Sequence, residues 1–229
     1  MNARRAVGRW VHLGADGRQA VLSAAAQAFE NHGLVIFPTE TFYGLAAAAT
    51  DLDALRKVVA LKAREASKPI PLIAAGRSDV ERIGPVPPVL DALINAFWPG
   101  PLTIAIPPTG VWPRVLLGSG RDVGVRVSGC ALAGEIAALA GGLITATSAN
   151  FGGHPAAARP DELHQDLIRQ VDVIIDAGPC AGGLPSTVVA VTANGGVEVR
   201  RPGAVATSEV ARLIGYTPRV RSPSSGVKR

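Results

Sequence analysis

With 229 residues the chain is long enough to bury a substantial core, as one large domain or two small ones. Its 48% hydrophobic and 18% charged residues exclude an intrinsically disordered or fibrous chain, and 4% aromatics argue against binding single-stranded nucleic acid by base stacking. The net charge of +5 is concentrated partly at the ends, in Arg4, Arg5 and Arg9 and in Arg219, Arg221, Lys228 and Arg229; it suits an anionic small molecule, an RNA surface, or solubility alone.

Two cysteines, Cys130 and Cys180, stand far apart outside any CxxC context, which predicts a reducing compartment and neither a disulfide framework nor a cysteine zinc site. The first residues, MNARRAVGRW, lack the apolar stretch of a secretory signal. No apolar run reaches bilayer length, so a cytoplasmic location with no membrane partner is expected.

Residues 1–17 carry little pattern and read as an N-terminal extension. Val21, Leu22, Ala25, Ala28 and Phe29 recur at helical spacing from Arg18 to Asn31, and His32-Gly33 supplies a stop. Leu34 to Phe37 reads as a buried strand ended by Pro38, followed by the polar and aromatic group Thr39-Glu40-Thr41-Phe42-Tyr43-Gly44. Asp51 is placed to cap a helix carrying Leu52, Leu55, Val58, Val59 and Leu61, with Lys62, Arg64 and Lys68 at its far end. Ile70 to Ala74 suggests a strand that Pro71 would confine to an edge or an irregular one. Val86 to Phe97 reads as helix, Trp98-Pro99-Gly100-Pro101 as a sharp turn, and Leu102 to Ile106 and Val123 to Val127 as strands.

Cys130 to Ala140 predicts a short apolar helix leading into GGLITATSANFGG, Gly141 to Gly153, where an apolar run feeds Thr145, Thr147, Ser148 and Asn150. Small hydroxyls, an amide and glycines suit a tight polar pocket at a strand's carboxyl end, or simply a turn. Asp161 to Gln170 reads as helix, Val173 to Ile175 as strand and Asp176 to Pro185 as a glycine-rich loop. Val188 to Val191 and Val197 to Arg200 look like a hairpin joined through Ala193-Asn194-Gly195-Gly196, and Thr207 to Ile214 like a last helix. Strands alternating with helices but ending in a hairpin predict an α/β fold: a single domain over 18–216 with a twisted mixed sheet flanked by helices, then a disordered tail at 217–229.

Several chemistries are excluded. There is no GxxxxGK[ST] phosphate loop, no GxGxxG, no HExxH and no GxSxG, and His12, His32, His154 and His164 form no ligand-like cluster. What remains is cations and hydroxyls at loop positions. Lys62 and Arg64 combine a compact and a forked charge, as a phosphate clamp would, or else form a solvated helix end. Arg126, within a β pattern, needs an anionic partner or an exposed face; few acidic residues lie near it in sequence, which favours a substrate carboxylate.

These residues resemble a family. Phe37-Pro38-Thr39-Glu40-Thr41-Phe42-Tyr43-Gly44-Leu45 is similar to the PTETxYGL signature of the YrdC-like threonylcarbamoyl-AMP synthases. Lys62-x-Arg64 resembles its KxR pair, Trp98 to Thr103 its WPGPxT turn, Val123 to Val127 its VGVR strand and Ser148-Ala149-Asn150 its SxN pair. Ser186-Thr187-Val188 and Arg201-Pro202-Gly203 match its STV and RPG segments, so the motifs run in family order from about residue 34 to 204.

The resemblance implies a YrdC-like domain with a basic concave active-site face, acting as a nucleotidyltransferase. L-threonine, bicarbonate and ATP would give threonylcarbamoyl-AMP and pyrophosphate for the threonylcarbamoyladenosine modification of tRNA. It implies catalytic roles for Lys62, Arg64, Ser148 and Asn150 and ATP contacts from these with Thr147 and Arg201. Thr39, Tyr43, Arg126 and Ser186 match threonine-side positions, and Mg²⁺ is expected through the ATP phosphates and not through a protein-built metal site. Possible partners are tRNA or tRNA-modification proteins.

The sequence departs from the family pattern at Ala46, at Ala63 and Glu65 within the KxR segment, at Gly152, and in having no histidine from Pro69 to Gly76. Glu65 would weaken ATP binding if it points inward. Two alternatives stand beside the synthase: a non-catalytic RNA-binding paralogue, and a carbamoyl-handling module of hydrogenase maturation, which the short chain and two cysteines disfavour.

Overall fold

The computed structural model describes residues 8–62, 68–117 and 120–221. The first half supplies β1 (Arg9–His12), β2 (Val35–Phe37), β3 (Gly44–Ala46), β4 (Leu72–Ala74) and β5 (Leu102–Ile106). The second half supplies β6 (Val123–Val127), β7 (Leu143–Thr145), β8 (Thr147–Ser148), β9 (Val173–Asp176), β10 (Thr187–Val191), β11 (Val197–Arg201) and β12 (Arg219–Val220).

The expected mixed sheet is resolved into two. Among the described residues a five-stranded sheet runs β1-β9-β2-β3-β8 and a seven-stranded sheet runs β12-β11-β10-β5-β6-β4-β7. Both mix directions: β9 is parallel to β1 and β2, whereas β3 is antiparallel to β2 and β8. In the larger sheet β10 is parallel to β5 and antiparallel to β11, and β6 is parallel to β4 and antiparallel to β5.

Strand periodicity divides the core. Ile36, Leu45 and Ile174 face a cluster shared with Leu72, Leu102, Ile104, Val125, Val189 and Val199 of the larger sheet. Their neighbours Val35, Phe37, Ala46, Val173 and Ile175 point the other way, under the helices Arg18–Glu30 and Ala131–Leu139. β5 is buried at all five positions, as a strand covered on both faces must be. The helix Leu52–Lys62 starts where Asp51 Oδ1 accepts the N–H groups of Asp53 and Ala54, each at 3.0 Å, so the expected cap is in place.

Four expectations are corrected. Residues 1–17 are not merely an extension, since Arg9–His12 pairs with β9; only Val11 of that strand is buried, too little to print an alternation. Pro71 does not push its strand to an edge: it lies just before β4, which sits between β6 and β7, so no ladder N–H is missing. The helix expected over 161–170 is broken into a 3₁₀ turn, Pro160–Glu162, and a short helix, Gln165–Ile168, capped by the His164 side chain, which accepts from Asp166 N–H. Of the tail expected to be disordered over 217–229, Arg219–Val220 forms β12 on β11, and residues 222–229 lie outside the described residues.

The sheets are joined through the stretch that carries the small polar residues. β7 belongs to one sheet and β8 to the other, with Ala146 between them donating its N–H to Pro71 O at 2.8 Å. Thr145, fully buried, donates its hydroxyl to Leu45 O and accepts from Ala47 N–H, both at 2.9 Å.

Candidate active site

A cavity of about 170 Å³ opens where the sheets meet. Seven of the expected residues line it: Thr39, Tyr43, Arg126, Thr147, Ser148, Ser186 and Arg201. Thr41, Phe42, Gly44, Pro71, Ala146 and Pro185 complete the wall. Lys62 and Asn150 sit behind Ser148 and outside this lining; Arg64 and Glu65 lie outside the described residues.

Arg126 projects from β6 with its side chain only 6% exposed. Its partner is Glu40, 86 positions away in sequence: Arg126 Nε donates to Glu40 Oε1 at 2.9 Å. The Ser128 hydroxyl donates to Glu40 Oε2, and Ser128 Oγ accepts from Cys130 N–H at 3.2 Å. Burial pushes the Glu40 carboxyl up, but the Arg126 charge and the Ser128 hydroxyl outweigh it and hold the group below its ordinary value. Among the described residues the Arg126 terminal nitrogens make no hydrogen bond. The anionic partner is thus supplied by the protein, and the scarcity of acidic residues nearby in sequence does not itself argue for a substrate carboxylate.

The threonine-side hydroxyls are less free than their motif suggests. Thr39 Oγ1 donates to Phe42 O at 2.6 Å and accepts from the N–H groups of Thr41 and Phe42, so it shapes the 39–42 turn. Tyr43 is fully buried and donates its hydroxyl to Gly178 O at 2.6 Å, fastening the glycine-rich loop; burial pushes its phenol up. Its phenol is therefore a loop anchor, a role that tyrosine beside a threonine cluster did not announce. Ser186 Oγ and Thr103 Oγ1 share a bond of 2.9 Å in which either can donate.

On the opposite side the turn at Ser148 is closed on itself. Ser148 donates its hydroxyl to Asn150 Oδ1 at 2.6 Å, and Asn150 Nδ2 donates to His154 O. Lys62 Nζ donates to Ser148 O at 2.9 Å and also to Asn150 O and Asn150 Oδ1, which makes this lysine a clamp on the turn. Arg201 donates from Nε and Nη2 to Ser186 O and from Nη2 to Ser186 Oγ, and it reaches the cavity as a largely exposed side chain.

Glycines set two close approaches. A Cβ on Gly203 would lie 2.2 Å from Pro185 O, and one on Gly44 2.9 Å from the Phe37 ring. Gly203 thus lets the strand end bearing Arg201 lie against the Pro185-Ser186 backbone.

The arrangement is a polar pocket lined by two arginines and several small hydroxyls, with Lys62 behind it, and is suited to an anionic ligand. Comparison with known proteins agrees. The Sua5/YciO/YrdC family model, described as "Telomere recombination", matches residues 27–203. The chain belongs to the Sua5/YciO/YrdC family.

Among its relatives, the threonylcarbamoyl-AMP synthase of Pyrococcus abyssi is 35% identical over 183 residues, 80% of this chain and 54% of that protein. The Bacillus subtilis threonylcarbamoyl-AMP synthase is 35% identical over 198 residues, 85% of this chain and 56% of that protein. The chain thus spans about half the length of the curated relatives it matches. The crystal structure of P. abyssi Sua5 complexed with L-threonine superposes with a TM-score of 0.87 at 30% identity, covering 98% of this chain and 65% of that one. Among the described residues no helix is long and apolar enough to cross a membrane.

Proposed function

We propose that this chain is an L-threonylcarbamoyladenylate synthase: it joins L-threonine, bicarbonate and ATP into threonylcarbamoyl-AMP and releases pyrophosphate. The observation that carries the reading is Arg126, buried at the cavity, held through Nε and with its terminal nitrogens unengaged among the described residues. Such a fork matches the α-carboxylate of a small amino acid. Support also comes from the names of the family relatives and from the threonine bound to the superposable P. abyssi protein.

In this mechanism the threonine amine adds to bicarbonate with loss of water, giving N-carboxy-threonine. A carbamate oxygen then attacks the α-phosphorus of ATP, and the bond from that phosphorus to the bridging oxygen breaks as pyrophosphate leaves. The step needs alignment and charge neutralisation. Arg126 anchors the carboxylate, with Thr39, Tyr43 and Ser186 shaping the pocket around threonine. Lys62, Arg64, Thr147, Ser148, Asn150 and Arg201 serve the nucleotide, with Ser148 as a donor.

Among the described residues no three His, Cys, Asp or Glu side chains converge as a metal cage, and Glu40 is already committed to Arg126. Magnesium would come with the triphosphate and supply charge neutralisation there. The product would pass to tRNA modification, with tRNA or modification proteins as partners. The lysine, serine and asparagine of the nucleotide side favour this reading over a non-catalytic RNA-binding paralogue.

The test is pyrophosphate release by the purified chain. Turnover is expected only when ATP, threonine, bicarbonate and magnesium are all present. Equal turnover without threonine, or none with the full mixture, sinks the reading.

A further inference from the structure

Glu40 belongs to none of the roles assigned above, yet it is the most constrained acidic group beside the cavity. One oxygen accepts from Arg126 Nε at 2.9 Å and the other from the Ser128 hydroxyl. Ser128 is in turn fixed by Cys130 N–H, at the start of the helix Ala131–Leu139. The Glu40 stem runs beside Gly129, where a Cβ would lie 3.5 Å from Glu40 Cβ and 3.5 Å from Gly100 Cα. Gly100 itself donates its N–H to Val127 O at 2.9 Å. Three chain segments, the turn at 98–101, the strand end at 126–129 and the loop at 39–42, therefore fix where this carboxylate stands.

We propose that Glu40 is a positioning residue: by occupying Arg126 Nε it turns the guanidinium so that its end-on pair of terminal nitrogens meets the carboxylate of the incoming amino acid. This rests on the reading of Arg126 as the carboxylate anchor. A guanidinium has two edges able to grip a carboxylate bidentately, one through Nε and one through the two terminal nitrogens. Glu40 closes the first edge and leaves the second. It also removes rotamer freedom from a long side chain before substrate arrives, so less entropy is lost on binding.

The same carboxylate has an opposing effect, because it lowers the positive potential felt by an incoming anion. Preorganisation wins in this proposal: without its counter-charge a buried guanidinium turns toward whatever acceptors it can reach. The two effects predict opposite signs for the Glu40→Gln variant, and that makes the matter decidable.

The experiment is calorimetric binding of L-threonine and of L-threoninamide, which lacks the carboxylate, to the full chain. The wild-type chain is expected to prefer threonine. Glu40→Gln should weaken threonine about tenfold or more while leaving threoninamide and ATP within about twofold. Ser128→Ala, which keeps both charges, should shift threonine in the same direction by less. In an Arg126→Gln background Glu40→Gln should cause no further loss, and that double variant leaves no charge unpaired if the single one folds poorly.

Tighter threonine binding by Glu40→Gln would show that Glu40 competes with substrate, and the proposal falls. Equal losses for threonine and threoninamide, or a further loss in the Arg126→Gln background, would reduce Glu40 to a structural residue and also overturn it. A wild-type chain that binds no threonine instead overturns the functional reading, before any variant is made.

Discussion

The two walls of the cavity treat their polar groups in opposite ways. On the seven-stranded sheet, Arg126 is buried and anchored at one edge by Glu40, and its other edge is unengaged among the described residues. Across the cavity, the turn at 148–150 consumes its own donors: Ser148 bonds Asn150, and Lys62 donates to two carbonyls and an amide oxygen of the same turn. The first wall is ready for a ligand as it stands. On the proposed function the second would bind an anion by exchange, since an ammonium already bonded to protein carbonyls gains only the difference when a phosphate takes their place. In that proposal a pre-set anchor for a carboxylate faces a polyphosphate site that must exchange its bonds.

Removing Arg126 should give the largest effect. Arg126→Ala is expected to weaken threonine about a hundredfold and leave ATP affinity within about twofold, measured by calorimetry. It should also cost about 3 kcal/mol of stability, because Glu40 would remain buried without its counter-charge. Lys62→Ala comes next: ATP affinity should fall about tenfold, with threonine nearly unchanged. Should it weaken threonine as much as ATP, the walls are not separable and the contrast fails.

The smallest effect is the pH dependence of stability. Glu40 is held below its ordinary value, as is Asp51, where burial is outweighed by the Ala54 and Asp53 N–H groups and His32. A carboxylate with a lowered folded-state value stabilises the fold above its unfolded value of about 4.3 for Glu. That contribution is lost as pH falls through the lowered folded value. Thermal unfolding followed downward from neutral pH should show Tm declining in that acid window, less steeply in Glu40→Gln. An identical slope in wild type and variant would exclude Glu40 and leave the acid sensitivity to other carboxylates held low, Asp51 at its helix cap and Glu135 beside Arg18.

The legible parts of the fold were those with enough buried residues to set a period. β5 and β6 and the helix Thr207–Ile214 have the bounds expected of them, since five apolar-rich strand positions or two helical turns leave little choice. β3 was missed: its three residues sit inside a motif read for chemistry, and pairing with β2 and β8 decides its state. β1 was missed for want of buried positions.

At the site, motif residues separated by more than a hundred positions do converge on one cavity, because each lies at or beside a strand end. What spacing did not reveal was partnership. Few acidic residues neighbour Arg126 in sequence, and only the fold brings Glu40 to it. Tyr43 lines the cavity and Lys62 stands behind it, and their bonds to Gly178 and to the 148–150 turn depend on loops that meet only in three dimensions.

The paired hydroxyls have a consequence for the chemistry proposed above. In Thr103–Ser186 either oxygen can donate, so the direction of that bond reverses by rotating a proton while the heavy atoms stay still; in Thr39–Thr41 the proton comes from Thr41, because Thr39 gives its own to Phe42 O. A reactant that passes from zwitterion to carbamate to mixed anhydride changes its pattern of charge twice. On the proposed function, the Ser186 hydroxyl at the cavity, backed by Thr103, could follow those changes by turning its dipole with small reorganisation, acting as a solvent molecule bolted to the wall.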